Sequence, residues 1–183
     1  MSKTEPPTGD LDTVFRECAG DLQSYFSRRH GGPEGADDLV QESFLQLARK
    51  YAAGRGISSP RAYLFGIARH VSLAFLRRRE AAPERLDGVR DEPASREQPD
   101  PRAVAAREII AALPPLQREI LDLRFAHDLS YEEIATALGI PVGTVRSRLH
   151  HAVAQVRERL AMEDRSVSER TALRFKTYSR DEN

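Results

Sequence analysis

The chain has 183 residues, 40% of them hydrophobic, and a formal net charge of zero from 28 basic and 28 acidic side chains. This length allows one or two small domains. A single cysteine excludes a disulfide framework, no apolar run approaches the roughly 20 residues of a membrane span, and residues 1–10 lack the apolar core of a signal peptide. Because no segment alternates apolar and polar residues for long, the sequence predicts an all-α protein. The single cysteine suits the reducing cytoplasm, where we expect the protein to act.

After a polar segment, residues 1–10, which we expect to be disordered, apolar residues recur at helical spacing. The first predicted helix, Leu11–Arg29, ends at a Gly-Gly-Pro break. The second, Gly35–Tyr51, has acidic residues in its first turn, where they favour the helix dipole. Its polar side chains on exposed or flanking faces are Asp38, Gln41, Glu42 and Gln46. From the pattern alone, these are an ordinary solvated helix surface.

A third helix is predicted over Arg61–Glu80, after a Gly-rich loop and a Ser-Pro start. Aromatic and basic residues surround its apolar stripe: Tyr63, Phe65, Arg69, His70 and Arg77-Arg78-Arg79. Binding of an unstacked single strand would use such a surface, with Tyr63 or Phe65 stacking on bases and arginines contacting phosphates. The alternative is that both rings belong to the core and the arginines are solvated, and the pattern leaves both open.

Residues 81–103 contain four prolines and many acids but no apolar stripe. This composition predicts a flexible acidic linker between two small helical domains, 11–80 and 104–162. Val104–Leu113 begins the second domain, and Pro114-Pro115 restarts the helical pattern. Residues 163–183 are expected to form a polar, frayed tail.

The segment Leu129–Leu160 has the pattern of a helix-turn-helix motif. Ser130 and Glu133 form a capping box, Gly139 supplies the turn, and Pro141 starts the second helix. The polar face of that helix carries Thr144, Arg146, Ser147, Arg148, His150 and His151. Hydroxyl, imidazole and guanidinium groups in this position are suited to reading base edges in the major groove. The alternative is a helical hairpin with a solvated polar face.

No pattern indicates catalysis. The sequence has no Gly-rich phosphate loop, and the adjacent His150 and His151 point about 100° apart on a helix, so they cannot chelate a metal as an i,i+4 pair. We therefore expect no enzymatic activity, no metal and no cofactor. The zero net charge also predicts weak autonomous binding to DNA.

Three segments, taken in order, resemble the extracytoplasmic-function (ECF) group of the sigma-70 family of bacterial RNA polymerase sigma factors. Asp37–Phe44 is similar to the motif that binds core polymerase, and Ser59–Arg79 is similar to the helix that melts promoters and reads the −10 element. Leu113–Leu149 is similar to the domain that reads the −35 element. The likeness extends from about Leu11 to Leu160.

This resemblance implies two helical domains, the C-terminal one a helix-turn-helix of the winged-helix-like, sigma region 4 type. It implies binding to the clamp helices and flap of core RNA polymerase, recognition of promoter DNA, an anti-sigma factor as a further partner, and a monomer within the holoenzyme, without membrane insertion. The implied polymerase contacts are Asp38, Gln41 and Glu42. The implied −10 contacts are Tyr63, Arg69, His70, Arg77 and Arg78. The implied −35 contacts are Arg124, Thr144, Arg146, Ser147, Arg148, His150 and His151.

The chain departs from the family pattern in the −10 helix. Tyr63 stands where Trp is commonest, His70 replaces a usual Asn, and Ala74 replaces a usual Asp, so the sequence does not name the −10 preference. One rival interpretation is a free-standing helix-turn-helix regulator, but Leu11–Arg79 has neither the pattern nor the length of a receiver domain. Another is an interaction module that mimics a sigma domain, which the Arg-Ser-Arg triplet of the second helix argues against.

Overall fold

The computed structural model describes residues 11–54, 56–81 and 100–178, with side chains as far as residue 165. Within these residues all regular structure is helical, which confirms the predicted fold class. The helices are α1 (Leu11–His30), α2 (Ala36–Ala52), α3 (Pro60–Ala81), α4 (Pro101–Ala111), α5 (Pro115–Phe125), α6 (Tyr131–Leu138) and α7 (Val142–Tyr178). No helix among the described residues is long and apolar enough to cross a membrane.

The chain forms two compact units. The first contains residues Met1–Ala94 and Leu123–Val145, and the second contains Ser95–Asp122 and Arg146–Asn183. The division therefore falls inside α5 and in the first turns of α7. The domain boundaries predicted from the sequence stay a prediction, and two of their segments, residues 1–10 and residues 82–99, lie outside the described residues.

The core of the first unit lies where α1, α2 and α3 pack together. Leu22, Phe26, Leu47 and Leu64 are fully buried there. The Tyr25 ring meets the rings of Phe26 and Phe65 edge-on, with centroids 5.4 and 5.9 Å apart. Because large rings and leucines fill this core from three helices, the faces of α2 and α3 that remain outside it are fixed in orientation.

In the second unit, the buried apolar residues are Ile109, Leu113, Ile120, Leu121, Leu149 and Ala152. Leu149 and Ala152, three residues apart, place one face of α7 in this core. The opposite face of α7 is thereby left to solvent.

Two helix boundaries differ from the sequence prediction. Helix α4 begins at Pro101, three residues before the predicted Val104, because the Asp100 carboxylate accepts a hydrogen bond from the Arg102 backbone N–H and proline is suited to a first turn. Helix α7 continues to Tyr178, into the segment 163–183 that was predicted to be a frayed tail. The segment from 161 to 178 contains neither glycine nor proline to end it.

Candidate functional site

The turn between α6 and α7 orients the start of α7. The Ser130 hydroxyl accepts from the Glu133 N–H and the Glu133 carboxylate accepts from the Ser130 N–H, which confirms the predicted capping box. Gly139 has a left-handed backbone, φ 66°, at the end of α6. The Pro141 carbonyl then accepts from the backbone N–H groups of Thr144 and Val145. These bonds define a three-residue turn, and the fully buried Val145 anchors the first turns of α7.

The polar face of α7 is open to solvent at the positions predicted to read the −35 element. Arg146, Ser147, Arg148, His150 and His151 are exposed, and Thr144 is half-exposed. The two imidazole rings lie edge to face with centroids 5.9 Å apart. Neighbouring guanidinium, hydroxyl and imidazole groups on one convex helix face can reach base edges and phosphates of a duplex.

Arg124, a predicted −35 contact, lies in the first unit and is already engaged within the chain. Its Nη1 donates to Asp128 Oδ1 and to the Leu129 carbonyl, both at 3.0 Å, and its guanidinium carbon lies 6.0 Å from the centre of the Tyr131 ring. Asp128 is also the non-glycine residue with a positive φ, 49°, among the described residues. Arg124 therefore fastens the α5–α6 turn, and any DNA contact would use its remaining donors.

Helix α3 presents most of the predicted −10 residues at its surface. Tyr63 and Arg69 are half-exposed, whereas His70, Arg77 and Arg78 are exposed. Phe65, the other candidate for base stacking, is only 1% exposed and belongs to the core. Of the two aromatic rings that the sequence left open, Tyr63 alone retains a surface on which a base can stack.

His30, the last residue of α1, packs against α3. Its position just before the Gly-Gly-Pro break gave no sign of this contact. Its Nε2 is 3.1 Å from the hydroxyl of the buried Ser72, and its ring meets Phe75 edge-on at 4.8 Å. Burial, together with the nearby positive charges of Arg29 and Arg79, lowers the pKa of His30 from 6.5 to about 4. The ring is therefore neutral at physiological pH.

On α2, the predicted polymerase contacts form one stripe. Asp38 and Gln41 are exposed, and Glu42 is half-exposed and accepts a 3.3 Å hydrogen bond from Gln46 Nε2. Leu45 is 59% exposed and continues the stripe, since it lies seven residues after Asp38 and four after Gln41. Leu45 is not among the predicted contacts, although its helical spacing from Asp38 and Gln41 is visible in the sequence. The stripe is thus acidic and polar with an apolar end.

Nothing among the described residues resembles a metal centre, since no group of three or more His, Cys, Asp or Glu side chains could hold an ion. The candidate sites are instead the exposed polar faces of α2, α3 and α7. Together with the capped turn before α7, they define the class of the protein: an all-helical chain with a helix-turn-helix motif and exposed basic and aromatic side chains on two helices.

Comparison with known proteins narrows this class. The family model for Sigma-70 region 2 matches residues 14–82, and that for Sigma-70, region 4 matches residues 103–156. The ECF RNA polymerase sigma factor SigL of Mycobacterium tuberculosis is 32% identical over 155 residues, covering 80% of this chain and 86% of SigL. The RNA polymerase sigma-E factor of Streptomyces antibioticus is 36% identical over 138 residues, covering 72% and 74%. The chain therefore belongs to the ECF group of the sigma-70 family.

Other relatives agree with this assignment. The ECF sigma factor SigE of Mycolicibacterium smegmatis is 35% identical over 161 residues, which are 82% of this chain but 61% of SigE. Among solved structures, the sigma factor RpoE in complex with the anti-sigma factor NepR from Bartonella quintana superposes with a TM-score of 0.63 at 25% identity, over 83% of this chain and 97% of RpoE. CnrH, solved with the cytosolic domain of CnrY, shares the fold with a TM-score of 0.58 at 23% identity, over 85% and 92%.

Proposed function

We propose that this chain is a transcription initiation factor that binds core RNA polymerase through α2, reads the −10 element through α3 and reads the −35 element through α7. It acts in the cytoplasm, where the polymerase is, and has no catalytic activity of its own. The observation that carries the proposal is the presence of two separate exposed reading surfaces, on α3 and α7, in a chain that belongs to the ECF group.

The zero net charge supports a division of labour between the chain and the polymerase. Affinity for DNA depends strongly on the number of phosphates that Lys and Arg neutralise, and this chain has as many acids as bases. Two modest reading surfaces become effective once the polymerase holds them on one promoter, because the second contact is then intramolecular at a high effective concentration. Promoter specificity accordingly belongs to the holoenzyme.

We assign the polymerase contact to the α2 stripe of Asp38, Gln41 and Glu42, with Leu45 at its apolar end. A stripe with both carboxylates and an exposed leucine suits a protein surface that offers basic groups beside an apolar patch. We include an anti-sigma factor among the partners, since the Bartonella quintana relative was solved with one.

Run-off transcription with core polymerase and this chain on genomic fragments tests the proposal. We expect discrete transcripts that core polymerase alone does not make, and no retention of the same fragments by the chain alone at physiological salt. Binding to a palindromic site without polymerase, together with no transcript from the reconstituted mixture, would instead favour the free-standing regulator.

A pull-down on core polymerase tests the α2 stripe. Replacing Gln41 and Glu42 by Ala should weaken association at least tenfold while leaving the helix content by circular dichroism unchanged. The exposed Glu17 on α1 provides a matched control, since Glu17→Ala removes an acid that lies outside the stripe. Equal affinities of the double variant and the control would overturn the assignment of the stripe.

A further inference from the structure

Three of the proposed −10 residues form one line along α3. At about 100° per residue, Tyr63 and Arg77 lie about 20° to either side of His70 around the helix. Tyr63 is half-exposed, and His70 and Arg77 are exposed. The line from Tyr63 to Arg77 is about 21 Å long, which is the length of about six base pairs of B-form DNA. We call these three residues the reading line.

The opposite face of α3 is held by the end of α1. Ser72 and Phe75 lie about 200° and about 140° around the helix from His70. His30, the last residue of α1, has its Nε2 3.1 Å from the Ser72 hydroxyl and its ring centroid 4.8 Å from that of Phe75. The His30 ring also stacks on the fully buried Phe26, at 6.1 Å. His30 therefore links Phe75 to the core of the first unit.

The last turns of α3 extend past this core. The structure describes the whole of α3, and its buried residues end at Ser72 although the helix continues to Ala81. Phe75 is half-buried, and the six residues after it add about 9 Å of helix. Arg77, the last member of the reading line, lies on this extension. The direction of its side chain therefore depends on the contacts that steady the extension.

Arg79 makes such a contact. Its guanidinium carbon lies 5.8 Å from the centre of the Phe75 ring, within the range of a cation–π interaction. Arg79 lies about 180° around the helix from the middle of the reading line, so it points away from that line. Burial is the main cause of the lowered pKa of His30, and the positive charges of Arg29 and Arg79 add to it, which places Arg79 near the imidazole as well. We call His30, Phe75 and Arg79 the Phe75 brace.

We propose that Arg79 is a positioning residue of the −10 reading surface: through the Phe75 brace it fixes the last turns of α3 and so directs Arg77 at a backbone phosphate at the end of the reading line. Arg79 itself does not contact DNA. The inference rests on the proposed function. It gives two different roles to arginines of one basic run, because their directions differ by about 160° around the helix. Contacts from arginine to phosphate fix the register of a protein on DNA, so a misdirected Arg77 weakens promoter binding.

Promoter binding by the holoenzyme that contains the full chain tests the two roles. Arg77→Ala should weaken binding about tenfold and lower the slope of log affinity against log salt concentration by about one unit, since one phosphate contact is lost. Arg79→Ala should weaken binding at least threefold. Arg79→Lys keeps a cation over the Phe75 ring and should bind within twofold of the unmodified chain. Arg16→Ala is the matched control, because Arg16 is exposed on α1 and pairs with Asp12 at 2.7 Å.

The double variant Arg77→Ala/Arg79→Ala distinguishes positioning from a separate contact. A residue that acts only by directing Arg77 has no effect once Arg77 is removed, so the double variant should bind like Arg77→Ala, with the salt slope lowered by about one unit in total. Losses that multiply in the double variant would overturn the positioning role. A slope lowered by about two units would assign Arg79 to a phosphate of its own.

An NMR titration of His30 in the free full-length chain tests the brace directly. Arg79→Ala removes a positive charge and should raise the His30 pKa above about 4, whereas Arg79→Lys and Arg77→Ala should leave it there. An unchanged His30 pKa in Arg79→Ala, or promoter binding by that variant equal to that of the Arg16→Ala control, would overturn the inference and leave the proposed function intact. If the unmodified chain with core polymerase makes no transcript from any fragment, the proposed function fails and the inference falls with it.

Discussion

The neutral imidazole of His30 makes the free energy of unfolding depend on pH in a way that can be predicted with its sign. The folded chain holds the pKa of His30 at about 4, whereas the ordinary value is 6.5. Between these two pH values the unfolded chain binds a proton that the folded chain does not. The free energy of unfolding therefore falls as the pH drops from 6.5 towards 4, and His30 contributes no pH dependence above this window.

The size of the effect follows from the same two values. Taken in full, the pKa difference would lower the free energy of unfolding by about 2 kcal/mol at pH 5 relative to neutral pH. Because the ring is only half-buried, solvent screens part of the effect, and we expect about 1 kcal/mol. This is a measurable part of the stability of a small domain.

Urea unfolding at pH 7.5 and pH 5.0 measures this contribution. His30→Gln keeps a hydrogen-bonding group opposite Ser72 but cannot titrate, so the loss of stability at pH 5.0 should be about 1 kcal/mol smaller than in the unmodified chain. His70→Gln, which removes an exposed imidazole from α3, should behave like the unmodified chain. An NMR titration in which the His30 ring protonates near pH 6.5 would refute the argument, as would an unchanged pH dependence in His30→Gln.

Four further substitutions test the helix-turn-helix. Arg146→Ala should relax base preference at one position of the −35 element by about 1–3 kcal/mol. Arg148→Ala should instead weaken all promoters alike and lower the slope of log affinity against log salt concentration by about one unit. Promoter-library output and salt titration of the holoenzyme distinguish the two variants, and unchanged base preference in both would assign base reading to other residues. Ser130→Ala removes one half of the capping box and should cost about 1 kcal/mol in urea unfolding, against almost nothing for the exposed Thr136→Ala. Gly139→Ala forces a side chain into a left-handed backbone and should cost about 1 kcal/mol in the same assay, with an unaltered midpoint contradicting the turn geometry.

Local signals in the sequence were sufficient for the helices and for the turn of the motif. The capping box joins Ser130 to Glu133, three positions later, and Gly139 ends the same helix nine positions after Ser130. Both features are visible in a short stretch of sequence, and the structure contains both. The end of α7 was wrong in the sequence analysis, because high polarity after Leu160 was taken as fraying although no residue there stops a helix. Polarity tells which side chains are solvated, and it does not tell where a helix ends.

Tertiary contacts were beyond the reach of the sequence. The sequence around His127 does not indicate that Arg28 of α1 lies beside its ring or that Arg61 of α3 donates a hydrogen bond to its carbonyl. The two arginines are 99 and 66 positions away along the chain. The same holds for Phe65, whose period on α3 was compatible with either the core or the surface. In the structure the Phe65 ring is buried and meets the Tyr25 ring of α1 edge-on. Packing against residues distant in sequence therefore decides between the core and the surface position, which the local pattern of α3 left open.

The zero net charge also bears on how the chain selects promoters only together with the polymerase. Promoter DNA alone makes modest contacts with this chain, because its acids match its bases in number. In the proposed function the polymerase binds the α2 stripe, which lies on a different helix from the residues proposed to read the −10 and −35 elements. The polymerase and the promoter therefore do not compete for one helix face, and the two promoter elements are read together only when the polymerase holds the chain beside them.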